Sequence, residues 1–187
     1  MTAEPLPSQS TAREGSARRR PAPLAFTFCL IAFFAALLLF FFVPVQQRLV
    51  VASYADGRIL LALPLADGEE FSLRFRHSVN LSDVTDFIVR EGDLLVCRAT
   101  LFTAYGAGIP DLSDGIGTEF SQTDEGFLLS GIDKAQASIP IMLQRVPNHR
   151  LLLRGTEISL LERFGSGTLV VLAVRPVTLW AMLTRSP

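Results

Sequence analysis

The sequence predicts a mainly β protein, an antiparallel sandwich or partly closed barrel, preceded by one N-terminal transmembrane helix. Three observations support this prediction. One long apolar stretch lies near the N-terminus, apolar and polar side chains alternate over short stretches after it, and Gly and Asp recur where those stretches end. Alternation with period two is typical of half-buried strands, and closely spaced strands with such turns favour an antiparallel architecture.

The apolar stretch covers Leu24–Val43, twenty residues without a charged side chain and with Thr27 as the one strongly polar residue. At about 1.5 Å per residue, a helix of this length crosses a hydrocarbon core of about 30 Å. Arg18–Arg20 precede the stretch, whereas Arg48 is the first basic residue after it. Because basic residues concentrate on the cytoplasmic side of a membrane, we expect a cytoplasmic N-terminus and an extracytoplasmic domain.

A cleaved signal peptide is the alternative interpretation of this stretch. Ala52 before Ser53 would suit a cleavage site, but it lies far beyond the apolar run. The run is also longer than the usual signal-peptide core of about 7–15 residues. We therefore expect an uncleaved single-pass anchor in the cytoplasmic (inner) membrane. The predicted segments are a disordered cytoplasmic tail (1–23), a transmembrane anchor (24–45), an extracytoplasmic β domain (46–175) and a C-terminal tail (176–187).

The charge balance excludes nucleic acid as an expected partner. The net charge is −1, and residues 46–187 carry 13 basic and 16 acidic residues. Nucleic-acid binding requires a concentrated basic field, which this balance does not provide. The two cysteines, Cys29 in the apolar stretch and Cys97 in a predicted strand, cannot pair with each other within one chain.

The residues after the anchor predict a series of strands and no convincing helix. Asp56-Gly57 and Gly92-Asp93 have the composition of hairpin turns. Arg175 and Pro176 interrupt a second apolar run, which therefore favours a final strand and a short tail over a second membrane span. The predicted strands are Arg48–Tyr54, Arg58–Leu65, Phe71–Val79, Val84–Glu91, Leu94–Thr103, Gly126–Ser130, Ala137–Gln144, Arg150–Arg154 and Thr168–Val174.

Two motifs are more specific than composition. The first is Phe75–Val79 (Phe-Arg-His-Ser-Val), followed by Asp86, and the second is Tyr105–Pro110 (Tyr-Gly-Ala-Gly-Ile-Pro), with Asn148-His149 downstream. In this order and behind an N-terminal anchor, they resemble a small bacterial family known as domain of unknown function 1850. The resemblance runs from about Arg58 to Val174, although the family leads us to expect a Glu in place of Asp86.

The resemblance implies a small membrane-anchored or exported protein. Members of the family are often encoded beside the fused permease of tripartite solute transporters of the TAXI type. The partners that it implies are therefore the lipid bilayer and a transporter permease or its solute-binding protein. It implies no catalytic residue and no cofactor, because the family has no assigned chemistry.

His77 falls on the predicted apolar face of its alternating strand. A buried neutral imidazole needs a hydrogen-bond partner, and Asp86 is the expected one if the chain reverses near Leu81–Ser82. The alternative makes His77 a general base or a metal ligand, with His149 as the second histidine. The spacing of these residues matches no compact zinc motif, which favours the structural interpretation.

The second motif predicts a bend in the backbone. Gly106 and Gly108 suit a positive φ angle or a close approach of another segment, and Pro110 holds the residue before it extended. The motif lacks the third glycine and the helix that a dinucleotide-binding loop requires. The alternative is a surface that contacts a ligand or partner, with Tyr105 beside it. The acidic residues in 111–125 favour a solvated loop over a calcium site, because their spacing lacks the alternation of an EF-hand loop.

No catalytic set or metal site assembles from these residues. Ser78 cannot be the nucleophile of His77, because adjacent strand residues point to opposite faces. We expect an accessory or interaction domain that acts with a transporter; the alternatives are a β-barrel module that binds a small ligand and a His- or metal-dependent hydrolase. The candidate ligand- or partner-binding residues are His77, Asp86, Tyr105, Gly106, Gly108 and Pro110.

Overall fold

The structure, a computed structural model, describes residues 23–42, 44–104 and 115–180. The chain divides into two compact units, Met1–Leu39 and Phe40–Pro187. The first unit contains most of a long helix, and the second contains every described strand.

Helix α1 (Pro23–Phe42) forms from the predicted apolar stretch. Its twenty residues include no charged side chain, and large apolar side chains along it are exposed, Phe26 by 74% and Phe34 by 53%. Side chains are described only for residues 26–41 of this helix. Within the described part of the chain, no helix meets the length and hydropathy that a membrane span requires.

The β domain consists of short strands with one short helix among its described residues. Each of the nine predicted strands overlaps an observed strand, so this part of the prediction is confirmed. In chain order the elements are β1 (Pro44–Ser53), β2 (Ile59–Leu63), β3 (Glu70–Arg76), β4 (Asp83–Glu91), β5 (Leu94–Phe102), β6 (Glu119–Thr123), β7 (Gly126–Gln136), β8 (Ser138–Met142), β9 (Arg150–Leu153), β10 (Thr156–Ser159), α2 (Leu160–Phe164) and β11 (Leu169–Thr178).

The strands form two antiparallel sheets and not a closed barrel. Sheet A has four strands in the order β2-β1-β11-β8, and sheet B has seven in the order β10-β9-β3-β4-β5-β7-β6. Every pairing is antiparallel. Of the two predicted architectures, the structure therefore supports the sandwich.

Both predicted hairpin turns are confirmed. Between β1 and β2, Gly57 has a φ angle of 69°, and Asp56 Oδ1 accepts a hydrogen bond of 3.1 Å from the backbone N–H of Arg58. Between β4 and β5, Gly92 has a φ angle of 60°. Residues with a Cβ rarely adopt such angles, which explains why glycine stands at both reversals.

The main core lies between the two sheets. Its side chains come from the inner faces of both and are almost completely buried. Examples from sheet A are Leu49 and Leu172, and examples from sheet B are Phe71, Ile88 and Leu95, each exposed by 2% or less. Burial of one such side chain contributes about 1.5–3 kcal/mol, so mutual coverage of the two inner faces is the main source of stability.

Strand β1 is buried on both faces. Each residue of Leu49–Ala52 is exposed by 1% or less. A strand covered on both sides carries a continuous apolar run in place of alternation. Alternate residues of this run therefore belong to two clusters: the main core, and a second cluster that comprises Val50, Ala62, Val171, Ala173 and Val177.

Strand β11 extends four residues beyond the predicted end at Val174. Its last residue, Thr178, pairs with Pro44, and Pro176 pairs with Gln47. On its other side β11 pairs with β8 only as far as Ala173. Proline lacks the N–H group that a ladder requires, and Pro176 is tolerated because it lies where one neighbouring strand has ended.

Three elements were not predicted from the sequence. Strand β6 lies in the acidic region that predicted a loop, and all five of its residues are exposed, so no apolar alternation marks it. Strand β10 and helix α2 follow directly after β9. Helix α2 corrects the prediction of no helix after residue 46. It has only five residues, and Ser159 caps its N-terminus by accepting a hydrogen bond of 3.3 Å from the N–H of Glu162.

We expect Leu151→Ala to lower the free energy of unfolding by about 2–5 kcal/mol, because Leu151 is fully buried in the main core. Chemical denaturation of the detergent-solubilised full chain measures the change. Leu94→Ala is the matched control, since Leu94 is 41% exposed and should lose much less. Equal losses for the two variants would contradict a core between the sheets.

Candidate functional site

His77 lies in the turn between β3 and β4, and not on an apolar strand face as predicted. Its backbone N–H donates to the carbonyl of Ser82 at 2.8 Å, and its carbonyl accepts from the N–H of Leu81 at 3.0 Å. The side chain of Asn80 accepts hydrogen bonds from the backbone and the hydroxyl of Ser82. Such local side-chain bonds compete with a strand, so β3 ends at Arg76 and Val79 is 72% exposed.

Asp86 lies on the inner face of β4, away from His77. It pairs in register with Leu73 on β3, and His77 is four residues further along the chain, about 13 Å at about 3.3 Å per residue. The hydroxyl of Thr100 donates to Asp86 Oδ1 at 2.8 Å. The expected pairing of His77 with Asp86 is therefore not observed, although the chain does reverse near Leu81–Ser82 as predicted.

A small polar cluster surrounds Asp86 inside the sandwich. Burial raises the pKa of Asp86, while the hydrogen bond from Thr100 and the charge of Lys134 oppose this shift. Cys97 Sγ lies 4.0 Å from Thr100 Oγ1. Burial, aided by the charge of Asp86, raises the pKa of the Cys97 thiol to about 11. At neutral pH the thiol form therefore predominates, whereas the thiolate is the nucleophilic form.

The remaining candidates, Tyr105, Gly106, Gly108 and Pro110, lie outside the described residues. The described segment that precedes these candidates ends at Ala104, next to the β3–β4 turn. There the N–H of Thr103 donates to the carbonyl of Asp83 at 3.1 Å, and Thr103 Oγ1 accepts from the N–H of Asp83 at 3.2 Å.

The first motif and Asn148-His149 meet at the end of β3. The N–H of Arg76 donates to the carbonyl of Pro147 at 2.8 Å. The rings of Phe75 and His149 stack with centroids 5.4 Å apart and an interplanar angle of 30°. Burial lowers the pKa of His149, and its Nδ1 is buried without a hydrogen-bond partner among the described residues. His149 is therefore a neutral packing residue at physiological pH.

A cleft of about 290 Å³ lies where these segments meet. We name it the arginine cleft, because four arginines line it: Arg74, Arg76, Arg145 and Arg150. Asp83 is the one carboxylate among the lining residues. The other lining residues are Phe75, Val146, Pro147 and Asn148.

Two of these arginines share one carboxylate. Arg74 on β3 and Arg150 on β9 are direct partners in the register of sheet B. Like charges in that position destabilise a sheet unless an anion lies between them. Glu157 on β10 supplies it, with carboxylate oxygens 2.5 Å from Arg150 Nη1 and 3.8 Å from Arg74 Nη1.

The other two arginines keep free donors. Arg76 Nε donates to the carbonyl of Leu81 at 2.7 Å, which leaves Nη1 and Nη2 without an acceptor among the described residues. No described residue accepts a hydrogen bond from the guanidinium of Arg145 or forms an ion pair with it. Guanidinium groups in this state can donate paired hydrogen bonds to an oxyanion.

Sequence reasoning missed the arginine cleft because the strands that form it are distant in the chain. Arg74 and Arg76 alternate with apolar residues, and this pattern predicts that both arginines lie on the outer face of β3. However, Arg150 is 76 residues after Arg74, and nothing local indicates that β9 pairs with β3. Among the described residues, no group of three or more His, Cys, Asp or Glu side chains is arranged to hold a metal ion.

Residues 71–160 match the model of a family described as a domain of unknown function (DUF1850). The match supports the resemblance based on the two motifs, and the matched residues include both motifs and all four arginines of the cleft. Comparisons with curated proteins and with solved structures found no match.

We expect Asp86→Asn to stabilise the protein at neutral pH and to have little effect in acid. A carboxyl whose folded pKa is raised favours folding below its unfolded pKa of about 3.9, and this stability is lost as pH rises through the folded pKa. Urea denaturation of the solubilised full chain from pH 4 to pH 7.5 measures the difference. Lys134→Met removes a positive charge that lowers the pKa of Asp86. The pH range over which this stability is lost should therefore extend upward in that variant. An Asp86→Asn variant that is less stable than wild type only at neutral pH would contradict the expectation.

We expect His149→Phe to gain stability over wild type as pH falls. A histidine with a lowered folded pKa contributes stability above its unfolded pKa of about 6.5, and this contribution is lost as pH falls through the folded pKa. Phenylalanine keeps the stacking on Phe75 and cannot be protonated. The readout is the gap in urea midpoint between variant and wild type, and a gap that stays constant from pH 7.5 to pH 5 would rule out a buried neutral imidazole.

Proposed function

We propose that this protein is a membrane-anchored, extracytoplasmic accessory domain that acts with a tripartite solute transporter and is not an enzyme. The observation that supports the proposal most directly is in the sequence, where Leu24–Val43 form a run of twenty residues without a charged side chain directly before β1. An apolar run of this length suits a bilayer.

The expected orientation follows from the flanking charges. Arg18–Arg20 precede the helix, and Arg48 is the first basic residue after it. This asymmetry favours an N-terminus in the cytoplasm and a β domain on the outer side.

Binding is a better fit than catalysis for the groups that the domain presents. Two of its titratable side chains are disfavoured as catalysts, because burial lowers the pKa of His149 and raises the pKa of the Cys97 thiol to about 11. The arginine cleft offers permanently charged donors, which suit recognition and cannot exchange protons at physiological pH. Association with a transporter is inferred from the resemblance of the two motifs to the family.

A second candidate function is a module that binds a small ligand. The arginine cleft favours it, because the cleft forms where Phe75-Arg76 and Asn148-His149 come together. A volume of about 290 Å³ is near the lower end of the range for small-molecule sites, which is about 300 Å³.

We expect the tagged full chain to remain in carbonate-washed membranes and to co-purify, after mild cross-linking, with a permease or a solute-binding protein. Deletion of the gene should reduce uptake of the transported solute. A chain with Ile31→Arg and Leu38→Arg should leave the membrane fraction, because each central arginine costs about 2.5–3.5 kcal/mol of insertion free energy. The matched control is Ile31→Val with Leu38→Ile. If neither transporter protein is recovered and uptake is unchanged, the proposal fails.

A further inference from the structure

We propose that the arginine cleft binds a small soluble organic anion through its carboxylate or phosphate group, with Arg76 and Arg145 as the principal donors. The inference rests on the second candidate function and gives it a ligand class. It is independent of the transporter association, which concerns a protein partner.

The charge of the cleft supports an anionic ligand. Four guanidinium groups face only two carboxylates, Asp83 in the lining and Glu157 beside it. This excess of positive charge occurs in a chain whose net charge is −1. Glu157 lies between Arg74 and Arg150 and offsets one of their two positive charges. Arg76 and Arg145 form no ion pair among the described residues, so their guanidinium groups are the ones available to an added anion.

The backbone positions these donors before any ligand arrives. Arg145 lies in a turn that the N–H of Asn148 closes by donating to the carbonyl of Gln144 at 3.0 Å. Asn148 holds a left-handed φ angle of 43°, which asparagine adopts more readily than most residues. The bond from Arg76 N–H to Pro147 fastens this turn to β3. A backbone that is formed in advance reduces the conformational entropy lost on binding, whereas the exposed side chain of Arg145 still has to be ordered by the ligand.

The volume of the cleft leaves room for the organic part of a small anion beside its charged group. The lining is mainly polar, and Val146 and Pro147 are apolar residues within it. Small-molecule sites combine apolar contacts with a few polar groups that fix orientation, and a volume of about 290 Å³ limits the ligand to a small one.

The cleft and the first strand of the domain lie at opposite ends of β3, and the test below separates a soluble anion from a lipid headgroup. At the opposite end of β3, Arg90 contacts two segments. Its backbone N–H donates to the carbonyl of Glu69, and its guanidinium donates to the carbonyl of Gln47 in β1. From there to Arg76 the strand extends about 20 Å at about 3.3 Å per residue. The cleft therefore lies at the end of sheet B far from Gln47.

Isothermal titration of the full chain in neutral detergent micelles tests the proposal with succinate, citrate and inorganic phosphate as probes, and with succinamide as the uncharged analogue. We expect succinate or citrate to bind saturably, succinamide not to bind, and added salt to weaken the binding. Arg145→Gln should reduce affinity about tenfold or more, because it removes a charge-assisted donor.

The matched control is Arg163→Gln on α2, an exposed arginine outside the cleft, which should bind like wild type. Circular dichroism melts establish that both variants fold. Failure of both succinate and citrate to bind, unchanged affinity in Arg145→Gln, or binding only to inorganic phosphate or to phosphatidylglycerol vesicles would each overturn the proposal. None of these results affects co-purification with a transporter, so failure of this inference is distinguishable from failure of the accessory function.

Discussion

The pairing of β1 with β11 joins the beginning of the β domain to its end, and the sandwich depends on it. The register runs from Pro44 opposite Thr178 to Ser53 opposite Val170, so two distant segments form the centre of sheet A. Their inner side chains cover the inner face of sheet B. Of the four strands of sheet A, the residues that match the family contain only β8. The matched segment therefore relies on flanking strands to bury its apolar face.

The same non-local pairing produces the arginine cleft. Strand β9 pairs with β3 and brings Arg150 opposite Arg74, while β10 supplies Glu157, whose carboxylate contacts both guanidinium groups and offsets one of the two charges. The turn that precedes β9 carries Arg145 to the end of β3. Four arginines that are scattered through the chain become neighbours because of the strand order β10-β9-β3. The charge of the cleft is thus a product of topology.

The titratable groups inside the sandwich serve packing. Asp86 and Cys97 lie on neighbouring strands around the hydroxyl of Thr100, and burial raises the pKa of both. His149 stacks on Phe75, and burial lowers its pKa. In each case desolvation favours the neutral form, because a charge loses its hydration inside an apolar core. The permanently charged arginines outside this core are the groups that remain available for recognition.

The sequence alone determined the strands and their turns, because alternation and glycine turns are local signals. It also determined the long apolar helix, since that signal is composition over twenty residues.

The sequence could not locate β6, whose residues are all exposed. It also could not extend β11 past Pro176, because a proline is tolerated there only where β8 has ended. It placed His77 on a strand that the hydrogen bonds around Asn80 bring to an end. Only the tertiary structure decided that Arg74 meets Arg150. Contacts between strands that are distant in the chain depend on which strands pair, and no local pattern in the chain encodes that choice.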